Sequence, residues 1–234
     1  MSTHPSSPPI RPPRSSRNTR RTRSWPPRSR SWTSWRRVAR AVGADVDDVG
    51  TVMGLDPRIG GRHLRAGPGF GGACLPKDAA ALSRIARRAG ARMTVLDAAV
   101  EANRVRAGRL ADRVCAIAGA PVDAITVAVL GLAFKSGTPD LTASPSVALA
   151  SALQERGATV IAHDPSCPPP EAAGVPVVTT VDDALRRADI AVLATDWPCY
   201  RDLSYDGPSP ITVLDTRRLL DREEAARRGV AVVT

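Results

Sequence analysis

The hydrophobic rhythm of the chain changes near residue 119. Before it, apolar positions recur at helical spacing. Ala79, Leu82, Ile85 and Ala86 mark one side of a segment from Cys74 to Gly90. Val95, Ala99, Val105, Leu110 and Val114 do the same for a longer helix from Met93 to about Ala118. Upstream, RRVARAVGADVDDVGTVMGL reads as a helix end, a stop at Gly43 and a short helix capped by Asp45. A Gly- and Pro-rich loop, DPRIGGRHLRAGPGFGGA, joins these pieces. The expectation is a small all-helical domain over residues 36–118.

After Gly119-Ala120-Pro121 the pattern becomes alternating. ITVAVLG is an unbroken apolar run of strand length ending in glycine, as in a strand buried on both faces. SPSVALASALQERG follows as a helix, with Ser144 as cap, Pro145 at the first helical position and Gly157 at the stop. TVIAHDP, PVVTT, DIAVLAT and ITVLDT read as further strands, and DDALRRA as a helix among them. Strands alternating with helices imply an α/β domain over residues 119–234, a Rossmann-like, doubly wound parallel sheet.

The first 35 residues fit neither rhythm. They hold seven prolines and three of the four tryptophans, with almost no aliphatic residue. Such a segment buries too little apolar surface to offset its ordering entropy, so a disordered tail is expected. Three origins stand open: a basic targeting leader, a nucleic-acid-binding arm, or the product of GC-rich DNA translated out of frame. The net charge of +10 belongs to this end. Residues 1–37 carry ten arginines and no acid, and from residue 38 onward basic and acidic residues balance. Strong attraction to nucleic acid is therefore not a property of the body. No apolar stretch approaches the roughly 20 residues of a membrane span. The start lacks the apolar core of a secretory signal, so a cytoplasmic protein is expected.

Cys74, Cys115, Cys167 and Cys199 have no CxxC spacing and suggest neither a disulfide framework nor a metal site. Only Cys74 has informative neighbours. The loop GPGFGGACLPKD, Gly67 to Asp78, spells G-x-G-x-x-G at 67, 69 and 72, but no buried strand precedes it and Pro68 sits inside the supposed turn. A dinucleotide fingerprint is rejected on those grounds. A flexible linker remains open. The other reading is that closely spaced glycines let backbone amides approach a ligand. Cys74 then begins a helix with Lys77 one turn on, and both features favour a thiolate nucleophile. Asp78 could order a water or steady Lys77. Cys115, Cys167 and Cys199 receive no role, and His63 and His163 are expected to be structural.

GLDPRIGGRHLRAGPGFGGACLPKD resembles the active-site segment of the UDP-glucose/GDP-mannose dehydrogenase family, its GLDPRIG portion being closest to UDP-glucose 6-dehydrogenases. VAVLGLAFKSGTPDLTASPSVALASALQERGATVIAHDP resembles that family's UDP-binding domain, and ADIAVLATDWPCYRDL with VLDTRRLLD continues the likeness. It covers about residues 36–234. The resemblance implies oxidation of a nucleotide-sugar C6 alcohol to the carboxylate, UDP-glucose to UDP-glucuronate, with NAD accepting two successive hydrides and Cys74 forming a thioester. It implies that Arg65, Gly69, Phe70 and Gly71 touch the sugar and that Cys74 and Lys77 also meet NAD. Asp78 would assist the water or the oxyanion. Arg58 would reach the substrate, in family fashion across a subunit boundary, within a homodimer built on the central helices. Phe134, Lys135 and Arg217 would hold the nucleotide-sugar. Taken without the resemblance, those three read instead as core packing, a solvated loop lysine and a surface ion-pair former.

The chain departs from the family in three ways. Nothing in it matches the family's amino-terminal NAD-binding domain. Where the family carries a lysine and an asparagine on the helix before GADVDDV, this chain has its Arg/Pro/Ser/Trp segment, and its first lysine is Lys77. The family's D-x-R after LAFK appears as Asp140-Leu141-Thr142. The expectation is a truncated homologue that does not turn over by itself. A non-catalytic UDP-sugar-binding or oligomerisation module is the alternative, and a nucleic-acid binder built on the basic tail is the third class.

Overall fold

The computed structural model describes residues 38–39, 41–61, 64, 66–169 and 171–234. The expected tail, His63 and Arg65 lie outside the described residues.

Helix α1, Val46–Gly54, begins as its sequence signals: the Asp45 carboxylate accepts the Asp47 amide at 2.7 Å, satisfying one of the open amides at the helix start. Helix α2 spans Leu75–Arg88 and follows Cys74 directly, with Asp78 in its first turn and Arg87 and Arg88 in its last, a charge order that complements the helix dipole. The single helix expected from Met93 is two, α3 at Thr94–Arg104 and α4 at Arg106–Ala118. Val105, at φ −81° and ψ −4°, interrupts them.

The apolar stripe is also rotated from its expected place. Ile85 is 63% exposed and Val95 66% exposed. The reason is polar. Buried Ser83 on α2 donates its hydroxyl to the carboxylate of Asp97 on α3, which fixes how the two helices face each other. Residues two positions along a helix point nearly the opposite way. Ile85 and Val95 therefore turn outward, and Ala79, Ala86, Leu96 and Ala99 are the buried apolar residues of the two helices.

The second half forms the expected parallel sheet. Its strands are β1 at Thr126–Leu130 and β2 at Thr159–His163, then β5 at Ile190–Leu193, β6 at Ile211–Asp215 and β7 at Val230–Val233. They lie in the order β2-β1-β5-β6-β7, every pair parallel. Helix α5, Pro145–Gln154, links β1 to β2, with Ser144 capping as expected. Helix α6, Val181–Arg186, precedes β5 and α7, Arg222–Arg227, precedes β7, while β5 reaches β6 through a 3-10 turn at Pro198–Tyr200. PVVTT is not a strand of the sheet. Only Val175–Pro176 pairs, as β4, in a two-stranded hairpin with β3, Glu171–Ala172, and Val177 makes one bridge to Ala162. Pro176 has no N–H with which to extend a ladder. Strand β7 was not expected from the pattern.

Strand alternation splits the core between two faces. Val127 and Val129 of β1 join Val160, Val192, Leu149 and Leu153 on one face. Ala128 and Leu130 join Leu193, Val213, Leu185 and Tyr200 on the other. Leu110, Ala111 and Val114 of α4 lie in the first of these clusters, so the sheet's core reaches back across residue 118 into the helical half. At the opposite edge Arg218 pairs with both Asp45 and Asp47 at 2.7 Å, tying the start of α1 to the loop after β6.

Three loops at the carboxyl edge of the sheet meet on one buried carboxylate. Asp164, just past β2, accepts the amides of Leu132 and Ala133 at 2.7 and 2.9 Å, the amide and hydroxyl of Ser166 at 2.8 and 2.6 Å, and the Trp197 indole N–H at 3.2 Å. Burial acts to raise its pKa, but the hydrogen bonds from Ala133, Ser166 and Leu132 outweigh burial and hold it below the ordinary carboxylate value. The stability this group contributes is thus complete above its unfolded-state value near about 4 and is lost as pH falls through the lower folded-state value. Asp164→Ala is expected to cost roughly 1–3 kcal/mol for each of the two buried amides it strands, those of Leu132 and Ala133. In urea melts across the acid range, the substitution should also flatten the decline in stability that the parent protein shows.

Candidate functional site

Each glycine of the loop before α2 lies against a different wall. A Cβ added at Gly69 would stand 2.7 Å from Asn103 Oδ1, and one at Gly71 would stand 2.4 Å from the Ala143 carbonyl oxygen. At Gly72 it would meet the Phe134 ring at 2.9 Å, and at Gly67 the Arg217 Nη1 at 3.1 Å. Gly72 also has φ +84°, a conformation that side chains avoid, and its amide donates to the Thr142 carbonyl at 2.8 Å. The loop therefore fills the space between α3, the amino end of α5 and the loops after β1 and β6.

Two helix side chains hold it there. Asn103, in the last turn of α3, accepts the Phe70 amide at 3.0 Å and donates to the Phe70 carbonyl at 2.9 Å. Arg106, the first residue of α4, donates from Nε and Nη2 to the Gly67 carbonyl at 2.9 and 2.6 Å. Neither was singled out from sequence. The available signal was an asparagine, a poor helix former, inside a helical run.

The loop delivers Cys74 to the N-cap of α2, where the thiol is exposed. Lys77 Nζ lies 3.8 Å from Asp78 Oδ1 with both side chains in solvent, a pairing of little energetic weight. Across the loop, Phe134 is half-buried and Lys135 Nζ sits 5.5 Å from the centre of its ring, a cation–π contact. Arg217 donates Nε to the Ala194 carbonyl at 2.8 Å, and its own amide to Asp215 at 2.8 Å. Burial lowers its pKa while Asp196 and Asp215 oppose that. As a guanidinium it stays cationic at neutral pH. It also walls a cleft of about 580 Å³ between α1 and the sheet, together with Arg201, Arg218, Asp47, Gly54 and Leu64. That volume is in the range of small-molecule sites, and Arg201 and Arg217 bring positive charge to its walls, while Arg218 is already paired with Asp45 and Asp47.

Of the residues expected at a site, Gly69, Phe70, Gly71, Cys74, Lys77 and Asp78 lie on the loop and the first helical turn it feeds. Phe134 and Arg217 face that loop, and Lys135 stands over Phe134. Arg58 is placed elsewhere, on the turn after α1, with its side chain 87% exposed and paired to Asp56 at 2.6 Å. Arg65 lies outside the described residues.

A parallel sheet of this order offers a dinucleotide two anchors, the amino end of the helix after β1 and an acid after β2. Neither is open here. Ser144 and the glycine loop close the start of α5, where Gly69 and Gly71 press on Pro145. Asp164 spends both oxygens on the protein. The described residues do not fit the pyrophosphate and ribose of NAD.

Two family models and several known proteins are similar to this chain. Residues 33–105 match the model of the UDP-glucose/GDP-mannose dehydrogenase family central domain, and residues 128–222 match that family's UDP binding domain. The chain is 36% identical to UDP-glucose 6-dehydrogenase of Bacillus subtilis over 200 residues, 82% of this chain and 43% of that protein. It is 38% identical to UDP-glucose 6-dehydrogenase of Haloferax volcanii over 192 residues, 80% of this chain and 44% of that one. The UDP-glucose dehydrogenase structure from Pyrobaculum islandicum superimposes with a TM-score of 0.79 at 29% identity, covering 92% of this chain and 49% of that one. The chain thus spans about half the length of the curated relatives it matches.

The close approach can be tested without a ligand. Gly71→Ala is expected to cost about 1–3 kcal/mol in a urea melt, as overpacking does, and to speed iodoacetamide labelling of Cys74. Gly61→Ala, with open space around it, should leave both unchanged.

Proposed function

We infer function from one premise, that the chain belongs to the UDP-glucose/GDP-mannose dehydrogenase family and carries its central and UDP-binding domains. The activity proposed is oxidation of the C6 alcohol of UDP-glucose to the carboxylate, in which these residues hold the nucleotide-sugar and supply the nucleophile. A cytoplasmic setting is part of the same proposal. Among the described residues no helix is long and apolar enough to cross a membrane.

The observation that carries the proposal is the convergence of the glycine loop, Cys74, Phe134, Lys135 and Arg217 at one edge of the sheet. Arg217 and Lys135 are the cations for the diphosphate, and Phe134 is the apolar wall beside it. Phe70 and the backbone of Gly69 and Gly71 set the sugar. Cys74, at a helix start, adds as thiolate to the C6 carbon at the aldehyde level, and the carbonyl oxygen takes up a proton. Once that carbon is at the acyl level, water attacks it. Asp78 receives the water's proton, the thiol leaves and the carboxylate forms. Cys74 and Lys77 would meet NAD, which when bound would supply the hydride acceptor. Among the described residues there is no cradle for the rest of it.

That missing cradle favours a second reading, a UDP-sugar-binding or oligomerisation module without catalysis. The helical half supports the assembly part of it. Val52 and Leu55 on α1, Ile85 on α2 and Val95 on α3 are each more than 60% exposed, apolar side chains available to a second copy of the chain. Such a homodimer would also give the outlying Arg58 a site to reach.

Calorimetry with UDP-glucose, followed by an NADH assay on the same sample, tests the binding that both readings share, and NADH made by the chain alone would exclude the module. The 234-residue chain is expected to bind UDP-glucose, to bind it at least about tenfold more weakly as Arg217→Ala, and to make no NADH. Absence of binding in a folded sample would overturn the assignment. In sedimentation equilibrium Leu55→Glu is expected to shift a dimer toward monomer.

A further inference from the structure

We propose that Asn103 is a positioning residue for substrate binding, acting through the backbone of Phe70, with Arg106 as its partner on Gly67. This rests on the reading of the glycine loop as the sugar-binding segment.

The loop cannot position itself. Gly67, Gly69, Gly71 and Gly72 lack the side chains that restrict a backbone, so each contact that fixes the loop must come from outside it. Asn103 supplies a matched pair. Its Oδ1 takes the Phe70 amide and its Nδ2 gives to the Phe70 carbonyl, as a neighbouring strand would. Both backbone groups of one residue are thereby oriented at once. No other side chain of this length does both: aspartate cannot donate while ionised, and leucine does neither. The absence of a Cβ at Gly69 is the counterpart, since Asn103 Oδ1 occupies the place beside it.

The helix break gives this contact its reach. Asn103 lies in the last turn of α3, which packs on α2 and buries Leu96 and Ala99. Arg106 begins α4, whose Leu110 and Val114 are sunk in the core of the sheet. Arg156, at the end of α5, reinforces that docking by pairing with Asp112 at 2.7 Å. The two side chains that flank the helix break thus grip the same loop, Asn103 at Phe70 and Arg106 at Gly67. The loop's placement against Phe134 and Arg217 follows from where the two halves sit.

Asn103→Asp provides a chemical test. At neutral pH the new carboxylate still accepts the Phe70 amide but faces the Phe70 carbonyl acceptor to acceptor. Protonated, it regains a donor and restores both bonds. UDP-glucose affinity, expressed relative to the parent chain at each pH, is expected to be about tenfold lower at neutral pH and to recover as pH falls through the new carboxyl's pKa. Asn103→Leu should be weak at every pH. Arg106→Lys, which keeps the charge but loses the fork, should lose affinity to a smaller degree. Labelling of the Cys74 peptide by iodoacetamide, again relative to parent, is the readout that needs no ligand. It should rise in Asn103→Asp at neutral pH and return in acid.

Parent-like affinity and labelling in both Asn103 variants, with circular dichroism showing a folded chain, would overturn the proposal. So would a loss in Asn103→Asp that acid does not reverse, which marks a role in the fold alone. Should Asn103→Asp not fold, parent-like values in Arg106→Lys and Asn103→Leu decide against it. If the parent chain itself fails to bind UDP-glucose, the functional reading falls, and the labelling series still decides whether Asn103 sets the loop.

Discussion

The contact on which the rest of the site depends is a backbone-to-backbone approach with no room for a methyl group. Gly71 lies against the Ala143 carbonyl and Pro145, and Gly72 against the Phe134 ring. Every candidate side chain is referred to that surface. Cys74 follows it in sequence, Phe134 and Lys135 stand on its far side, and Arg217 closes it at Gly67. A loop with ordinary side chains could not lie so close. One without external holds would not stay there, which is why the hydrogen bonds of Asn103 and Arg106 matter as much as the glycines.

The same approach explains how a sheet of dinucleotide-binding order can lack a dinucleotide site. Its strand order places an open crevice at the carboxyl edge, beside β1. In this chain another part of the protein occupies that crevice. The start of α5 is closed by the glycine loop, and the acid after β2 serves as a hub for three loops. The topology is retained, but its usual anchors have become an internal joint. What remains open is the edge lined by arginines, between α1 and the loop after β6.

Much of this was legible in the residues. The parallel sheet, the caps at Asp45 and Ser144 and the helix start at Cys74 follow from local rules of capping and periodicity, and each is found. The failures are non-local. Ile85 and Val95 were assigned inward because apolar spacing was counted without the Ser83–Asp97 contact, which rotates both helices. The break at Val105 has no proline or glycine to announce it, and its partners lie more than thirty residues away, at Gly67 and Phe70. PVVTT looked like a strand by composition, but its proline and its position beside the β2 edge left it a hairpin arm. Asn103, Arg106 and Asp164 were missed for one reason: each acts on the backbone of a distant loop, where spacing carries no information.

The sharing of α4 also bears on how the protein can be taken apart. Sequence rhythm puts a seam at residue 119, yet Leu110, Ala111 and Val114 are part of the sheet's own interior. A piece excised at residue 119 would leave that interior uncovered on one side. The natural place to cut is Val105, between the holds of Asn103 and Arg106, so that a piece built on the sheet begins with α4 and not with the first strand.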